Sequence, residues 1–163
     1  MYNTTKSNTT KSREQIAYEK QIPNSIEAEE SLLGCILIDP SVLDIVRPQL
    51  TTNDFYREAH RLIYDAILHL ADRRVEADLV TLADELTRRG KLEDVGGFVA
   101  ISSLLNIVPT TRNAEHYAHI IIQKAMARQL AQVAIQIAAL AQEHPSLPDR
   151  KSVLFFKRVK TGK

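Results

Sequence analysis

The stretch from about Asn113 to Glu143 constrains this chain most, because it reads as one uninterrupted helix. About 30 residues at 1.5 Å each make a rod roughly 45 Å long, more than a compact domain of this size needs, so the rod is expected to protrude. Ile122, Met126, Leu130, Val133, Ile137 and Leu140 follow at intervals of 4, 4, 3, 4 and 3, and Ala127, Ala131, Ala134, Ala138 and Ala141 run beside them. This is a heptad-like seam with a small-residue flank, the pattern by which one helix packs along another. Its first half can pack on the rest of the chain. Its second half has no evident partner, since the segment that follows, HPSLPDRKSVLFFKRVKTGK, is broken by Pro145 and Pro148. Leaving large aliphatic side chains in water forfeits about 1.5–3 kcal/mol each, a large share of a typical domain's stability. The six seam residues are therefore read as an oligomer or partner interface, with self-association as the natural remedy.

The chain ahead of the rod predicts further helices. Asn24, with Glu27 three residues on, reads as a capping box for a helix carrying Ile26, Leu32, Leu33, Ile36 and Leu37. Asp39-Pro40 ends it and starts a short helix with Pro40 in the first helical position, finished before Pro48. Thr51 and Asp54 read as a second box, opening a helix of about five turns with Phe55, Ala59, Leu62, Ile63, Ala66 and Leu70 on one stripe. Asp78 is expected to cap the next, with Leu79, Leu82, Ala83 and Leu86 inside and Gly90 ending it in a left-handed conformation. Gly96-Gly97 starts another helix, carrying Phe98, Ile101, Leu104 and Leu105, before Pro109. The expected fold is all-α: a compact multi-helix head over 22–110, then one long protruding helix over 113–143, an incomplete helical hairpin. Residues 1–21 read as a disordered polar arm and 144–163 as a basic irregular tail.

Charge is unevenly spread. The net charge is +1, but residues 1–20 carry +2, residues 144–163 carry +5, and the body between carries −6. Holding a phosphate backbone relies on Lys and Arg displacing counterions, so the body is expected to bind DNA weakly or not at all, and any such contact falls to the tails. No apolar run approaches the roughly 18–20 residues of a membrane span, and the start MYNTTKSNTTKSREQ lacks the apolar core of a secretion signal. A cytoplasmic protein without membrane contact is expected. Cys35 is the one cysteine, which excludes an internal disulfide and is expected to be reduced and buried.

Catalytic patterns are missing. None of the five glycines stands in a phosphate-binding loop, no serine sits in a glycine-flanked elbow, and no Glu-x-x-His di-metal signature occurs. His116 and His119 are three apart on the long helix, but zinc wants three or four ligands, and two solvated histidines are the better reading. The helix, glycine turn and helix from Leu79 to Leu105 have the outline of a helix-turn-helix DNA reader. Their balance from Asp78 to Asn106 is −2, where a phosphate-facing element should be positive, and Arg88-Arg89-Gly90-Lys91 reads instead as the basic end of a helix. No catalytic, cofactor-binding or metal-binding residue is assigned, and no cofactor is expected.

The order of segments carries a resemblance. PNSIEAEESLLGCILIDP, DFYREAHRLIYDAILHL, ADLVTLADELTRRGKLEDVGG and NAEHYAHIIIQKAMARQL together resemble the N-terminal domain of the bacterial replicative DNA helicase, the DnaB family. The match covers about Ile22 to Glu143. It is carried by Ala28-Glu29 with Leu33-Gly34, Asp54-Phe55-Tyr56 with His60, Asp78 before Val80-Thr81-Leu82, Gly96-Gly97, and Asn113 with Tyr117-Ala118. The resemblance implies a helical head and hairpin whose copies pair into a collar on a hexameric helicase in DNA replication. It also implies that primase docks through the hairpin region, while ATP hydrolysis belongs to a RecA-like motor not contained in this sequence. After Glu143 the sequence departs from the family, where a return helix is expected. The leading expectation is a non-catalytic oligomerisation and primase-docking domain, partnered by its own copies or by helicase subunits. The alternatives are a fragment of a gene for an active ATP-dependent helicase, a stand-alone paralogue, and a small DNA-binding regulator using the basic tail.

Overall fold

A helix that is apolar on all sides has to lie among other elements. In the computed structural model, which describes residues 22–107 and 110–143, the second half of α1 (Ile26–Ile38) is of this kind: Leu32, Leu33, Gly34, Cys35, Ile36 and Leu37 are all buried. Around it come α2 (Ser41–Val46), α3 (Glu58–Asp72), α4 (Leu79–Arg88), α5 (Gly97–Ile107) and α6 (Ala114–Glu143), with 3₁₀ turns at Thr52–Asp54 and Thr111–Asn113. No strand occurs among the described residues, and the chain is all-α as expected. α1 packs on α5 and α3, and α3 packs on α4. The core joins Leu32, Leu33, Ile36, Phe55, Tyr64 and Ile67 to Leu82, Leu86, Ile101 and Leu104. Phe55 and Tyr64 pack ring to ring, centroids 4.9 Å apart. Cys35 is buried as expected, its Sγ 3.9 Å from the Thr110 carbonyl oxygen, and burial pushes its thiol pKa up.

Several expected boundaries move, each for a local reason. Ser25, not Asn24, stands at the N-cap of α1; the Asn24 amide donates to the Ile22 carbonyl instead, and no side chain caps the helix. Pro40 is the N-cap of α2 and not its first helical residue, and the Asp39 carboxylate accepts from the N–H and hydroxyl of Ser41. The Thr51 and Asp54 capping box forms, but it closes a 3₁₀ turn. The chain is extended at Phe55, and α3 starts only at Glu58, so Phe55 anchors the core from outside the helix. The reason is a carboxylate from α1, described below, that takes the N–H groups of Tyr56 and Arg57.

Other signals hold. Asp78 accepts from the N–H groups of Val80 and Thr81, and the Thr81 hydroxyl accepts from the Asp78 N–H, a complete capping box for α4. Gly90 ends α4 at φ +64°. Gly96 precedes α5 at φ +95°, where a Cβ would also stand 2.9 Å from that of Ala100, so no other residue fits without strain. Ile101 and Leu104 are buried, while Phe98, in the first turn, is half exposed and does not join the core.

The chain divides into two compact units, one ending at Arg128 and one beginning at Gln129, so the division falls inside α6. The arm expected over 1–21 and the tail expected over 144–163 lie outside the described residues.

Candidate interaction surface

Helix α6 is 30 residues long, as the seam required. Ala114, Ala118, Ile121 and Ala125 are buried against the core. Of the six predicted interface residues, Ile122 is half-buried and packs on that core, so it serves the head. Met126, Leu130, Val133, Ile137 and Leu140 are exposed, Leu130 to 72%. The 4-3-4-3 spacing places these five on one helix face. Ile135 is exposed as well, off the seam, a residue the periodicity passed over. No charged residue stands between Arg128 and Glu143, and Gln129, Gln132 and Gln136 supply a narrow polar stripe. A helix surface without charge and with five large aliphatic side chains exposed departs from the usual polar face of a solvent-exposed helix.

Where the buried part of α6 ends, Arg128 joins two segments of the head, one at Pro23 and one at Asp54–Tyr56. Its guanidinium donates to the carbonyls of Pro23 (2.8 Å) and Asp54 and lies 5.6 Å from the centre of the Tyr56 ring. Burial lowers its pKa.

Two buried carboxylates organise the head, and sequence periodicity missed both. Glu29, 1% exposed, accepts from the N–H groups of Tyr56 (2.6 Å) and Arg57 (3.3 Å) and from Nδ1 of buried His60 (2.7 Å). It thereby ties α1 to the entry of α3, and it joins two of the motif pieces, Ala28-Glu29 and Tyr56 with His60. Glu85 on α4 accepts from Arg88 (2.8 Å) on its own helix, from Arg89 (2.7 Å) at that helix's end and from Arg73 (3.2 Å), and His69 Nδ1 lies 2.9 Å from it. Burial raises the Glu85 pKa, but the Arg89 hydrogen bond and the charges of Arg88, Arg89 and His69 outweigh it, and the carboxyl ends below its ordinary range. The Arg88 and Arg89 signal was visible as basic residues three and four after an acid. For Glu29, nothing in one sequence separates a buried Glu from a solvated one.

These pairs also account for the helix-turn-helix outline. Arg88 pairs with Glu85, Arg89 with Glu85 and Asp65, and Lys91 with Asp94, so each basic residue of α4 and its turn has a carboxylate neighbour within the chain, in keeping with the basic end of a helix and not with a phosphate-facing element. His116 and His119 are exposed, and no group of three potential metal ligands occurs among the described residues. No described helix is long and apolar enough to cross a membrane.

The family described as DnaB-like helicase N terminal domain matches residues 21–123. The replicative DNA helicase DnaC of Bacillus subtilis is 43% identical over 116 residues, covering 71% of this chain and 26% of that protein. The replicative DNA helicase DnaB of Geobacillus stearothermophilus is 42% identical over 120 residues, 74% of this chain and 26% of that protein. The chain thus spans about a quarter of the length of these relatives. Among solved structures, the N-terminal domain of DnaB helicase from Mycobacterium tuberculosis superposes with a TM-score of 0.71 at 41% identity, covering 73% of this chain and 86% of that one. The N-terminal domain of DnaB helicase from Helicobacter pylori, described with its interactions with primase, shares the fold at a TM-score of 0.63 and 18% identity, covering 78% and 97%.

Proposed function

The chain belongs to the family of DnaB-like helicase N-terminal domains, and from that premise we propose that it is a non-catalytic interaction domain of the DNA replication machinery. It pairs with its own copies or with helicase subunits as part of a collar and offers primase a docking surface. The observation that carries the reading is the distal half of α6: Leu130, Val133, Ile137 and Leu140 exposed on one uncharged face. Burying that face in a partner recovers about 1.5–3 kcal/mol per large side chain. The primase part rests on the fold shared with the Helicobacter pylori domain described with its interactions with primase.

Changing Val133 and Ile137 to Asp places charge in the proposed contact and is expected to cost several kcal/mol of association. Sedimentation is the measurement, with circular dichroism as a check on folding. A wild type that stays monomeric at tens of micromolar, or a double variant that associates as well as the wild type, overturns the proposal.

The sequence contains no glycine-rich phosphate loop, so this chain is proposed neither to bind nor to hydrolyse ATP, and DNA-stimulated turnover by the purified chain contradicts that. It is proposed to work in the cytoplasm, where replication takes place. A second reading, that the sequence is the beginning of an active ATP-dependent helicase, is favoured by its span of about a quarter of its relatives. A phosphate-binding loop encoded downstream of codon 163 decides for it.

A further inference from the structure

Glu85 is 1% exposed and serves more cations than its single charge balances. Its Oε1 accepts from Arg89 Nε (2.7 Å), with His69 Nδ1 2.9 Å away; its Oε2 accepts from Arg73 Nη1 (3.2 Å) and Arg88 Nη2 (2.8 Å). Arg89 has a second carboxylate, Asp65, at 2.7 Å. Arg73 and Arg88 share one oxygen, and among the described residues neither is ion-paired to another carboxylate. Their side chains are about half exposed (45% and 50%) and line a cavity of about 270 Å³ whose apolar wall is Leu70, Val75 and Val80. A guanidinium carries five N–H donors, and Glu85 occupies a small part of each fork.

We propose that this cavity binds a carboxylate-bearing peptide segment of a partner protein. The paired guanidinium groups of Arg73 and Arg88 take the carboxylate, and Leu70, Val75 and Val80 take an apolar neighbour on the same segment. The buried oxygen between the two arginines holds them side by side before any ligand arrives, which lowers the entropy cost of binding. Asp84 also lines the cavity. Its charge disfavours a dianionic phosphate more than a monoanionic carboxylate, and on this ground the ligand is assigned to acidic peptide and not to phosphate.

The test is amide NMR of the full chain titrated with three probes at millimolar concentration: N-acetyl-Leu-Glu-amide, N-acetyl-Leu-Gln-amide and inorganic phosphate. Saturable shifts centred on Val80, Thr81 and Arg88 are expected with the Glu peptide, and binding about tenfold weaker with the Gln peptide, as loss of a charge-assisted bidentate contact implies. The Arg73→Gln and Arg88→Gln variants, confirmed folded by circular dichroism, are expected to lose the response to the Glu peptide. The proposal is overturned if the Glu peptide gives no saturable shift, if the Gln peptide or phosphate binds as tightly, or if the folded Arg73→Gln and Arg88→Gln variants respond like the wild type. The Glu and Gln comparison needs no variant, so a variant that fails to fold leaves the decision intact.

Discussion

Up to Arg128, helix α6 buries Ala114, Ala118, Ile121 and Ala125; from Gln129 it exposes Leu130, Val133, Ile137 and Leu140. Polarity is inverted between the two regions as well. The head hides two carboxylates and a histidine, Glu29, Glu85 and His60, each with its partners, while the distal helix displays aliphatic side chains and carries no charge before Glu143. A region that satisfies even its buried carboxylates is complete in itself. A region that leaves an apolar face in water is, on the function proposed above, one half of something larger. Periodicity alone does not separate them, because both halves of α6 carry it.

The sharpest way to break this contrast is to remove a buried carboxylate from the head. Glu29→Ala leaves His60 and the N–H groups of Tyr56 and Arg57 without their acceptor and is expected to cost about 3–5 kcal/mol in urea unfolding, the range for opening a buried pair. A cost below about 1 kcal/mol, the size of one ordinary hydrogen bond, places the head's organisation elsewhere. Asp78→Ala removes the capping box of α4 and is expected to cost about 1 kcal/mol by the same measurement.

Titration extends the contrast. Glu85 and Asp78, the latter held low mainly by the Thr81 N–H, both have depressed native pKa values. The stability they contribute is complete above the ordinary carboxylate range and is lost as pH falls through those depressed values. Tyr64 behaves oppositely: burial pushes its pKa from 10 to about 12, so its contribution is complete below pH 10 and is lost as pH rises through about 12. Unfolding free energy against pH is expected to fall at both ends, with Glu85→Gln flattening the acid limb. The smallest effect belongs to the distal helix. Ile137→Ala, measured at a dilution where the chain is monomeric, is expected to change unfolding by no more than about 0.5 kcal/mol, because an exposed side chain has little burial to lose.

Much of the head was legible in the sequence, because capping and turn chemistry act over three or four residues. Asp78 with Thr81, Gly90 and the run of α6 stand where local rules put them. The start of α3 was not legible. Thr51 and Asp54 form a genuine box, but the segment after it answers to Glu29, 27 residues earlier, and tertiary hydrogen bonds outvote a local signal. Ile122 shows a related limit: spacing places a residue on a helix face without saying how far along the helix the core extends. The exposure of Leu130 through Leu140 was readable because Pro145 and Pro148 interrupt the sequence in which a covering helix would be expected to begin.

Cys35 gives the head a chemical clock. Its thiol lies within α1, the innermost helix, faces the Thr110 carbonyl and is disfavoured from ionising, so a thiol reagent in solution reacts only during moments when the head opens. The labelling rate at low denaturant therefore reads the frequency of that opening directly. Melting of the distal helix leaves the rate unchanged, and a protein that binds the head and closes it slows the clock without altering any spectroscopic signal.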